Sequence, residues 1–367
     1  MWEEMNFANI NHCWGSLIIE ELSRHGVDYF CVAPGSRSSP LVIALAQKKG
    51  VKSFVHFDER GLAFHAMGYV AATKKPAVLI CTSGTAAANF LPAVIEASKK
   101  KLPLIVITAD RPPELRQTGA VQTIDQVGLF GKYVQWATDM PCPDMKINPE
   151  FVLTTIDQAW YQAVRNHGVV HINCMFRQPL TLVQTSEDLK TYTKSLSRWI
   201  KSATPYTDYL TGVESVALPL LKKIAARLDA IKNGVIVVGK IGGTDEAQLV
   251  LSLSEKLGWP IFADVSSGLR LGQNHPNLIH YFDHLLLSDK ISKELSFDGV
   301  LHLGGRMTSQ RYYDFIHKQN PNEYIMVLNH AKQPGHRSSA LPAYPTLLHT
   351  LLLRQSRHQC RWPHDCH

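Results

Sequence analysis

AVLICTSGTAAANFLPAVIEASKKKLPLIVITA, residues 77–109, holds one complete strand, helix and strand in succession. Two continuous apolar runs, 77–83 and 103–109, flank a turn of small residues and a helical segment that ends in three lysines. Continuous apolar strands that alternate with helices are typical of a parallel sheet covered on both faces. This stretch therefore predicts a doubly wound α/β domain.

The same rhythm extends in both directions along the chain. Strand-like runs at 28–33, 51–57 and 168–176 belong with the first sheet, and GVIVVGKIGG at 234–243 begins a second series after a polar stretch. The sequence thus predicts two doubly wound parallel-sheet α/β domains. We assign the chain as a first domain over 1–185, a linker over 186–212, a central α/β domain over 213–353 and an atypical tail over 354–367.

Composition limits the class of protein. The chain has 367 residues, of which 45% are hydrophobic, enough for more than one core. No apolar run reaches the roughly 18 residues of a membrane span, and the acidic, polar N-terminus is unlike a signal peptide. Seven scattered cysteines without a paired rhythm indicate free thiols. We expect a cytoplasmic protein with no transmembrane segment and no disulfide framework.

The net charge of +7 comes without a long Lys/Arg block. The sequence therefore favours small acidic ligands at least as well as nucleic acid, and we expect no nucleic-acid partner.

The tail RQSRHQCRWPHDCH, 354–367, carries histidines and cysteines whose spacing fits no zinc finger. We interpret it as a terminus of non-native composition and predict no metal site. The glycines in 239–243 lack dinucleotide-fold spacing and are interpreted as a turn.

FVHFDERGLAFHAMGYV, 54–70, places an acidic residue on an apolar helical stripe. Asp58 is a natural N-cap, and apolar residues recur at helical spacing from Leu62 to Val70. Glu59 lies on that stripe. It is either a first-turn acid favoured by the helix dipole or a carboxylate that points into a site.

Three strand-to-helix junctions carry further candidates. APGSRSSP, 33–40, brings Ser36 and Arg37 to a helix start, where they converge on an anion or form an ordinary serine-capped turn. TSGTAAANF, 82–90, has small residues that suit either close approach of a ligand or close helix packing. ADRPPELRQTGAVQ, 109–122, places Arg111 at a strand end, free for a ligand or paired with Asp110. Ligands of open parallel sheets bind outside the carboxyl ends of the strands, so these residues should share one rim.

The motifs resemble those of a known family. The sequence is similar to the thiamine-diphosphate-dependent 2-succinyl-5-enolpyruvyl-6-hydroxy-3-cyclohexene-1-carboxylate (SEPHCHC) synthases of menaquinone biosynthesis, over their N-terminal pyrimidine-binding and central domains. The resemblance runs in order from about residue 8 to about residue 340. It is carried by PGSRSSP, HFDERGLAFHAMGYV, TSGTAAANFLPAVIEA, ITADRPPELRQTGAVQ, GVVHINCMFRQPL and ADVSSGLR.

The resemblance implies roles for individual residues. Glu59 falls on the glutamate that hydrogen-bonds the aminopyrimidine ring of thiamine diphosphate and activates the cofactor. The implied reaction decarboxylates 2-oxoglutarate and adds the resulting carbanion equivalent to isochorismate. Ser36, Arg37, Arg111 and Gln122 fall on positions that hold these acidic substrates and the cofactor adduct.

Arg311, in the central domain, falls on a further substrate position of the family. Two residues depart from the family pattern, Gln310 where a lysine is usual and Val121 where a polar residue is common. The family further implies a homodimer or higher homo-oligomer. We expect these departures to affect substrate affinity more than the fold.

The resemblance also implies a third domain, whose GDG-type motif binds Mg²⁺ and the cofactor's diphosphate. The nearest string in the chain is FDG at 297–299. We therefore expect a truncated form of the synthase that needs a third domain for activity. The alternatives are a non-catalytic folded fragment and another thiamine-diphosphate-dependent decarboxylase or synthase.

Overall fold

The computed structural model describes residues 7–210, 217–242 and 244–328, together with the backbone of 339–342. The chain divides into two compact units, Met1–Leu210 and Thr211–His367. Each unit has its own parallel sheet and its own hydrophobic clusters. The prediction of two parallel-sheet α/β domains is confirmed.

The first unit is built of eight α-helices and six strands among the described residues. The helices are α1 Ile10–Arg24, α2 Ser39–Gln47, α3 Glu59–Thr73, α4 Thr85–Asn89, α5 Leu91–Lys100, α6 Glu150–Arg165, α7 Leu189–Tyr192 and α8 Ser197–Ile200. The strands are β1 Tyr29–Val32, β2 Lys52–Val55, β3 Ala77–Cys81, β4 Leu104–Asp110, β5 Trp136–Met140 and β6 Val169–Met175.

The strand order of the first sheet determines where a ligand can bind. The order is β2-β1-β3-β4-β6-β5, and all neighbouring strands are parallel. The chain passes from β1 to β2 on one side and then returns to place β3 on the other side of β1. This reversal opens a crevice outside the carboxyl ends of β1 and β3.

Alternate strand residues enter two separate cores. Val78, Ile80 and Ile105 lie in one cluster of buried side chains, whereas Leu79 and Val106 lie in the other. Successive side chains of a strand point to opposite faces, so a strand buried on both faces must be apolar throughout. The apolar runs 77–83 and 103–109 therefore follow directly from their central position in the sheet.

The second unit repeats the architecture on a smaller scale. Its described helices are α9 Leu218–Asp229, α10 Thr244–Leu257, α11 Phe282–Leu285, α12 Asp289–Glu294 and α13 Gln310–Gln319. Its strands are β7 Gly234–Val238, β8 Ile261–Ala263, β9 Gly299–Leu303, β10 Glu323–Leu328 and β11 Ser339–Pro342. They form a parallel sheet in the order β11-β10-β9-β7-β8.

The glycine turn after β7 packs against a second turn. A Cβ on Gly239 would lie 1.7 Å from the carbonyl oxygen of Gly305, and the Gly305 N–H donates to the Lys240 carbonyl at 2.9 Å. Gly239 is therefore required by this close contact between two loops, as expected for a turn.

In the FDG string, the Asp298 carboxylate accepts hydrogen bonds from the backbone N–H groups of Lys232 and Asn233, which is a structural role.

The segment predicted as a linker differs from that prediction. Residues 189–200 form short helices, and Leu189, Tyr192, Leu196 and Trp199 are buried in the core of the first unit. Polar residues between these four concealed their spacing in the sequence. The division between the units falls at 210/211. The predicted tail, 354–367, lies outside the described residues.

A buried acidic pair holds the end of the first unit in place. Glu21 of α1 accepts the Tyr206 N–H at 2.5 Å and the Trp199 indole N–H at 2.6 Å. Asp157 of α6 accepts the Thr207 N–H at 2.9 Å and contacts His25 Nε2 at 2.7 Å. Burial, together with a hydrogen bond to Asp157, raises the pKa of Glu21 to about 9.

No helix among the described residues is both long and apolar enough to cross a membrane.

We predict that the buried acidic pair Glu21 and Asp157 makes the free energy of unfolding of the first unit fall as the pH rises. A carboxyl group whose pKa is raised to about 9 in the folded state stabilises that state fully below about pH 4.5, and the contribution is lost as pH rises through about 9. The melting temperature of the first unit should therefore drop by several degrees between pH 6 and pH 9. Glu21→Gln, which cannot ionise, should flatten this slope in calorimetric scans, and an unchanged slope would contradict the assignment.

Candidate active site

The predicted site residues of the first domain follow the carboxyl ends of four neighbouring strands. Ser36 and Arg37 follow β1, Glu59 follows β2, the 82–85 turn follows β3 and Arg111 follows β4. These strands are adjacent in the order β2-β1-β3-β4, so the residues lie along one edge of the sheet. The crevice between β1 and β3 is bordered by the Arg37 loop and the 82–85 turn.

Glu59 is the first residue of α3. The Asp58 side chain caps the helix by accepting the Gly61 N–H at 2.7 Å, and Leu62, Ala63 and Val70 of the apolar stripe are buried. Burial raises the pKa of the Cys81 thiol, at the end of β3, and the nearby charge of Glu59 raises it further. Within the described ranges the half-buried Glu59 carboxylate makes no hydrogen bond or ion pair. It is therefore available to a ligand.

Arg37 is buried beside the sheet, with only 5% of its surface exposed. Its Nη1 donates to the Phe176 carbonyl at 2.7 Å, and its backbone N–H donates to Thr82 Oγ1 at 3.3 Å. Its Nε is buried and has no partner in the described part of the chain. Burial lowers the pKa of the guanidinium, and the positive charge of Arg111 lowers it further.

Arg111 does not form the ion pair with Asp110 that was the alternative interpretation. Asp110 accepts the backbone N–H of Arg111 at 2.7 Å, while its carboxylate pairs with Arg116 at 2.8 Å. The Arg111 side chain instead donates from Nη2 to the Val121 carbonyl at 2.9 Å. Its Nε is also buried and unpartnered among the described residues.

The 82–85 turn packs closely on its neighbours. Gly84 has φ +88°, and a Cβ there would lie 3.2 Å from the Gln122 carbonyl oxygen. A Cβ on Gly35 would lie 2.3 Å from the Thr82 Cβ. The Ser83 hydroxyl is buried without a hydrogen-bond partner in the residues described. The small residues of this turn thus serve close backbone packing at the rim of the crevice.

The remaining predicted residues are more open. Ser36 and Gln122 are exposed at this rim, Gln122 with φ +55°, and the Val121 side chain is 79% exposed. Arg311 belongs to the second unit, where it is exposed and pairs with Asp283 at 2.6 Å. Gln310, beside it, donates to Asp314 at 3.1 Å.

Three residues at the rim were not predicted individually. They are Ser83, Gln126 and Asn173, all buried and polar. Asn173 lies inside an apolar strand pattern, and Gln126 lies in a loop without periodicity. The sequence signal that could have found them is general: a polar residue inside a buried segment must form hydrogen bonds there.

The arrangement suits an acidic ligand that also needs proton transfer. Arg37 is buried and Arg111 is half-buried, and the Nε donor of each is buried without a partner among the described residues. The Glu59 carboxylate, which follows a strand of the same sheet edge, also has no partner there. Arginine forks match carboxylates in geometry and charge. A carboxylate at a helix start that is open to a ligand can accept and return a proton.

Family models match most of the chain. Residues 14–129 match the N-terminal TPP-binding domain of thiamine pyrophosphate enzymes, and residues 190–364 match the middle domain of these enzymes. The chain therefore belongs to the thiamine pyrophosphate enzyme family.

Within that class, the sequence is related to the SEPHCHC synthases. It is 40% identical over 351 residues to the SEPHCHC synthase of Salinibacter ruber, a match that covers 93% of this chain and 59% of the relative. It is 41% identical over 321 residues to that of Rubrobacter xylanophilus, covering 87% and 55%. The match to the chloroplastic protein PHYLLO of Arabidopsis thaliana is 42% over 336 residues and covers 20% of that protein. The chain thus spans little more than half the length of the bacterial relatives.

A solved structure supports the fold. The thiamine diphosphate-dependent 4-hydroxybenzoylformate decarboxylase of Rhodococcus jostii RHA1 superposes with a TM-score of 0.65. The match covers 93% of this chain and 62% of that structure, at 16% sequence identity. The fold is shared at an identity too low to carry substrate specificity.

We predict that Gly84→Ala destabilises the fold more than the same change at Gly26. Both glycines have positive φ, +88° and +79°, but a Cβ at Gly26 would meet no atom within 4 Å. Positive φ costs each variant about 1 kcal/mol. For Gly84→Ala, a ψ of −149° in a region that only glycine adopts readily and the contact with Gln122 together add about 1–3 kcal/mol. Urea unfolding measures both values, and equal losses would mean that the turn relaxes freely.

Proposed function

We propose that the chain provides the pyrimidine-binding and central domains of a SEPHCHC synthase. In this proposal the complete enzyme decarboxylates 2-oxoglutarate and adds the succinyl carbanion equivalent to isochorismate, a transferase step of menaquinone biosynthesis. The names of the relatives support the reaction. The observation that carries it in this chain is the unpartnered Glu59 carboxylate on the same edge of the sheet as Arg37 and Arg111, whose Nε donors have no partner among the described residues. Because the relatives are longer, full activity is assigned to the chain together with the portion they add.

Glu59 is proposed as the residue that holds the cofactor's aminopyrimidine. Thiamine diphosphate, when bound, supplies a stabilised carbanion equivalent at the carbon that loses CO₂. The contribution of this chain is a carboxyl group that donates a proton to the pyrimidine ring nitrogen and holds it there by a hydrogen bond. The absence of competing partners for Glu59 supports this role. Mg²⁺ belongs to the proposal by family resemblance, and no residue described here is assigned to it.

Arg37 and Arg111 are proposed to bind substrate carboxylates. Each guanidinium already uses one donor on a backbone carbonyl, which fixes its orientation and leaves Nε for a ligand. Ser36 and Gln122, exposed at the same rim, are proposed to contact the substrate and the cofactor adduct. Arg311, in the second unit, is proposed as a further substrate-binding residue by family resemblance alone. Small acidic substrates suit this arginine-rich rim, and nucleic acid is not part of the proposal.

The proposal includes a cytoplasmic homodimer or higher homo-oligomer. Five cysteines in the described part of the chain are free and buried, which suits a reducing compartment. Phe57 is 83% exposed and Phe64 is 38% exposed near the start of α3, an apolar surface that a second copy could cover. Sedimentation velocity would contradict the oligomer if the chain remained a monomer at high micromolar concentration.

We predict that Glu59→Gln removes most turnover. The test enzyme is this chain co-expressed with the remaining portion of the Salinibacter ruber relative, assayed for CO₂ release from 2-oxoglutarate. Because an amide cannot hold the proton, the rate should fall by about 10²–10⁴-fold.

Glu150→Gln is the matched control for this prediction. Glu150 is also a half-buried first-turn glutamate, at the start of α6, and it is not among the residues proposed to bind a ligand. It should keep nearly the parent rate. If Glu59→Gln retained half of the parent rate, Glu59 would not belong to the mechanism. If the completed enzyme were inactive with Glu59 intact, a non-catalytic role for this chain would be favoured.

We predict that Arg37→Ala and Arg111→Ala weaken substrate binding and leave cofactor binding nearly unchanged. Loss of a charged partner of a carboxylate costs about 1.5–3 kcal/mol, or roughly 10-fold to 150-fold in kcat/KM. Arg198→Ala, at an exposed position of α8, is the control and should match the parent. Steady-state kinetics with 2-oxoglutarate and isochorismate measure the effect. Weaker cofactor affinity with unchanged substrate kinetics would contradict the assignment.

A further inference from the structure

Gln126 connects three strand ends beneath the candidate site. Gln126 lies in the loop that follows Arg111 and is 1% exposed. Oε1 accepts the Gly84 N–H at 2.7 Å, and Nε2 donates to the Ala109 carbonyl at 3.2 Å and to Asn173 Oδ1 at 2.9 Å. The amide thus uses both of its N–H donors and its oxygen, which fixes its orientation.

Asn173 continues the connection inside the sheet. Its Nδ2 donates to Asp110 Oδ2 and to Asp139 Oδ1, both at 2.8 Å. Its Oδ1 accepts from Gln126 and from the Thr108 hydroxyl at 2.8 Å. Since that hydroxyl proton points to Asn173, His171 Nε2 must donate to Thr108 Oγ1 at 2.7 Å. Burial lowers the pKa of His171 to about 4, which keeps it neutral.

The connection ends at the backbone of Arg111. Asp110, fully buried, accepts the Arg111 N–H at 2.7 Å. An unbroken series of hydrogen bonds therefore runs from the Gly84 N–H through Gln126, Asn173 and Asp110 to the Arg111 N–H. Its two ends are the 82–85 turn and the arginine proposed to bind substrate.

We propose that Gln126 is a positioning residue that fixes the 82–85 turn relative to Arg111 and so sets the geometry of the acidic-substrate pocket. The turn depends on this side chain because Gln126 Oε1 is the acceptor of the buried Gly84 N–H, at 2.7 Å. Without the amide of Gln126, the buried Gly84 N–H has no acceptor and the turn must shift to find one. The inference rests on the proposed function for its effect on substrate, while its effect on the turn is independent of activity.

The first test uses Gln126→Met, which keeps the shape of the side chain and removes all three hydrogen bonds. Hydrogen–deuterium exchange of the parent chain and the variant measures protection of the peptide that contains residues 82–85. We expect protection there to fall by about 10-fold or more, with exchange in α6 unchanged. Equal protection of the turn in both proteins would overturn the proposal, whether or not the chain belongs to an active enzyme.

The second test separates positioning from general destabilisation. In the completed enzyme, Gln126→Met should raise the KM for 2-oxoglutarate by about 10-fold to 100-fold, with kcat reduced less, because a displaced Arg111 loses a charged contact that substrate and transition state share. A lower kcat with unchanged KM would indicate fewer folded molecules and overturn the proposal. Gln135→Met controls for the loss of a glutamine hydrogen bond elsewhere in the unit, since the exposed Gln135, just before β5, donates to the Asn166 carbonyl at 3.0 Å.

The third test uses Gln126→Glu and pH. An ionised carboxylate there cannot donate to Ala109 or Asn173, and it lies in a buried network with Asp110, Asp139, Arg111, Arg116 and His171. Burial and the two like charges should raise the pKa of the new carboxyl group. The increase in KM caused by Gln126→Glu should become smaller as the pH falls from 8 to 6, because the neutral acid restores one hydrogen-bond donor. The increase caused by Gln126→Met should not depend on pH. A pH-independent defect in Gln126→Glu would overturn the proposal.

Discussion

A fully buried carboxylate at the end of β4 organises the first unit around its candidate site. A buried carboxylate needs an ion pair or hydrogen bonds to offset the loss of water. Asp110 has an ion pair with Arg116 and hydrogen bonds from Asn173 and the Arg111 backbone N–H. These partners come from the loop after β4 and from β6, so satisfying one charge fixes two parts of the rim. This arrangement also leaves the Arg111 side chain without an ion pair to Asp110, because that acid already pairs with Arg116.

The second constraint is topological. In the first sheet the order of strands reverses at β1, and the two loops that follow β1 and β3 must lie side by side. Close packing of Gly35 on Thr82 shows how little space these loops share. Substitution of Gly35 would therefore alter the crevice without changing a charged residue. The site is thus determined as much by backbone contact as by its polar side chains.

The sequence predicted the features that depend on local pattern. Strands β1 to β4 and β6, the Asp58 cap and the apolar stripe of α3 all agree with apolar period and capping residues. It did not reveal β5, whose alternating exposure and polar residues weaken the strand pattern, or the helices of 189–200. It also did not reveal Gln126, whose three partners are distant in sequence. Local propensity contains no information on which buried polar groups will meet.

The two neighbouring arginines have a consequence for how the protein responds to salt. Arg37 and Arg111 are close enough for one charge to disfavour the other, and both retain a buried, unsatisfied donor. The folded chain thus contains a repulsion that any suitable anion can relieve. Binding of an anion to the folded state alone stabilises it in proportion to the logarithm of its concentration above the dissociation constant. Phosphate or sulfate buffers would then raise the thermal stability of the chain and, at the same concentrations, compete with the acidic substrates that we propose for it.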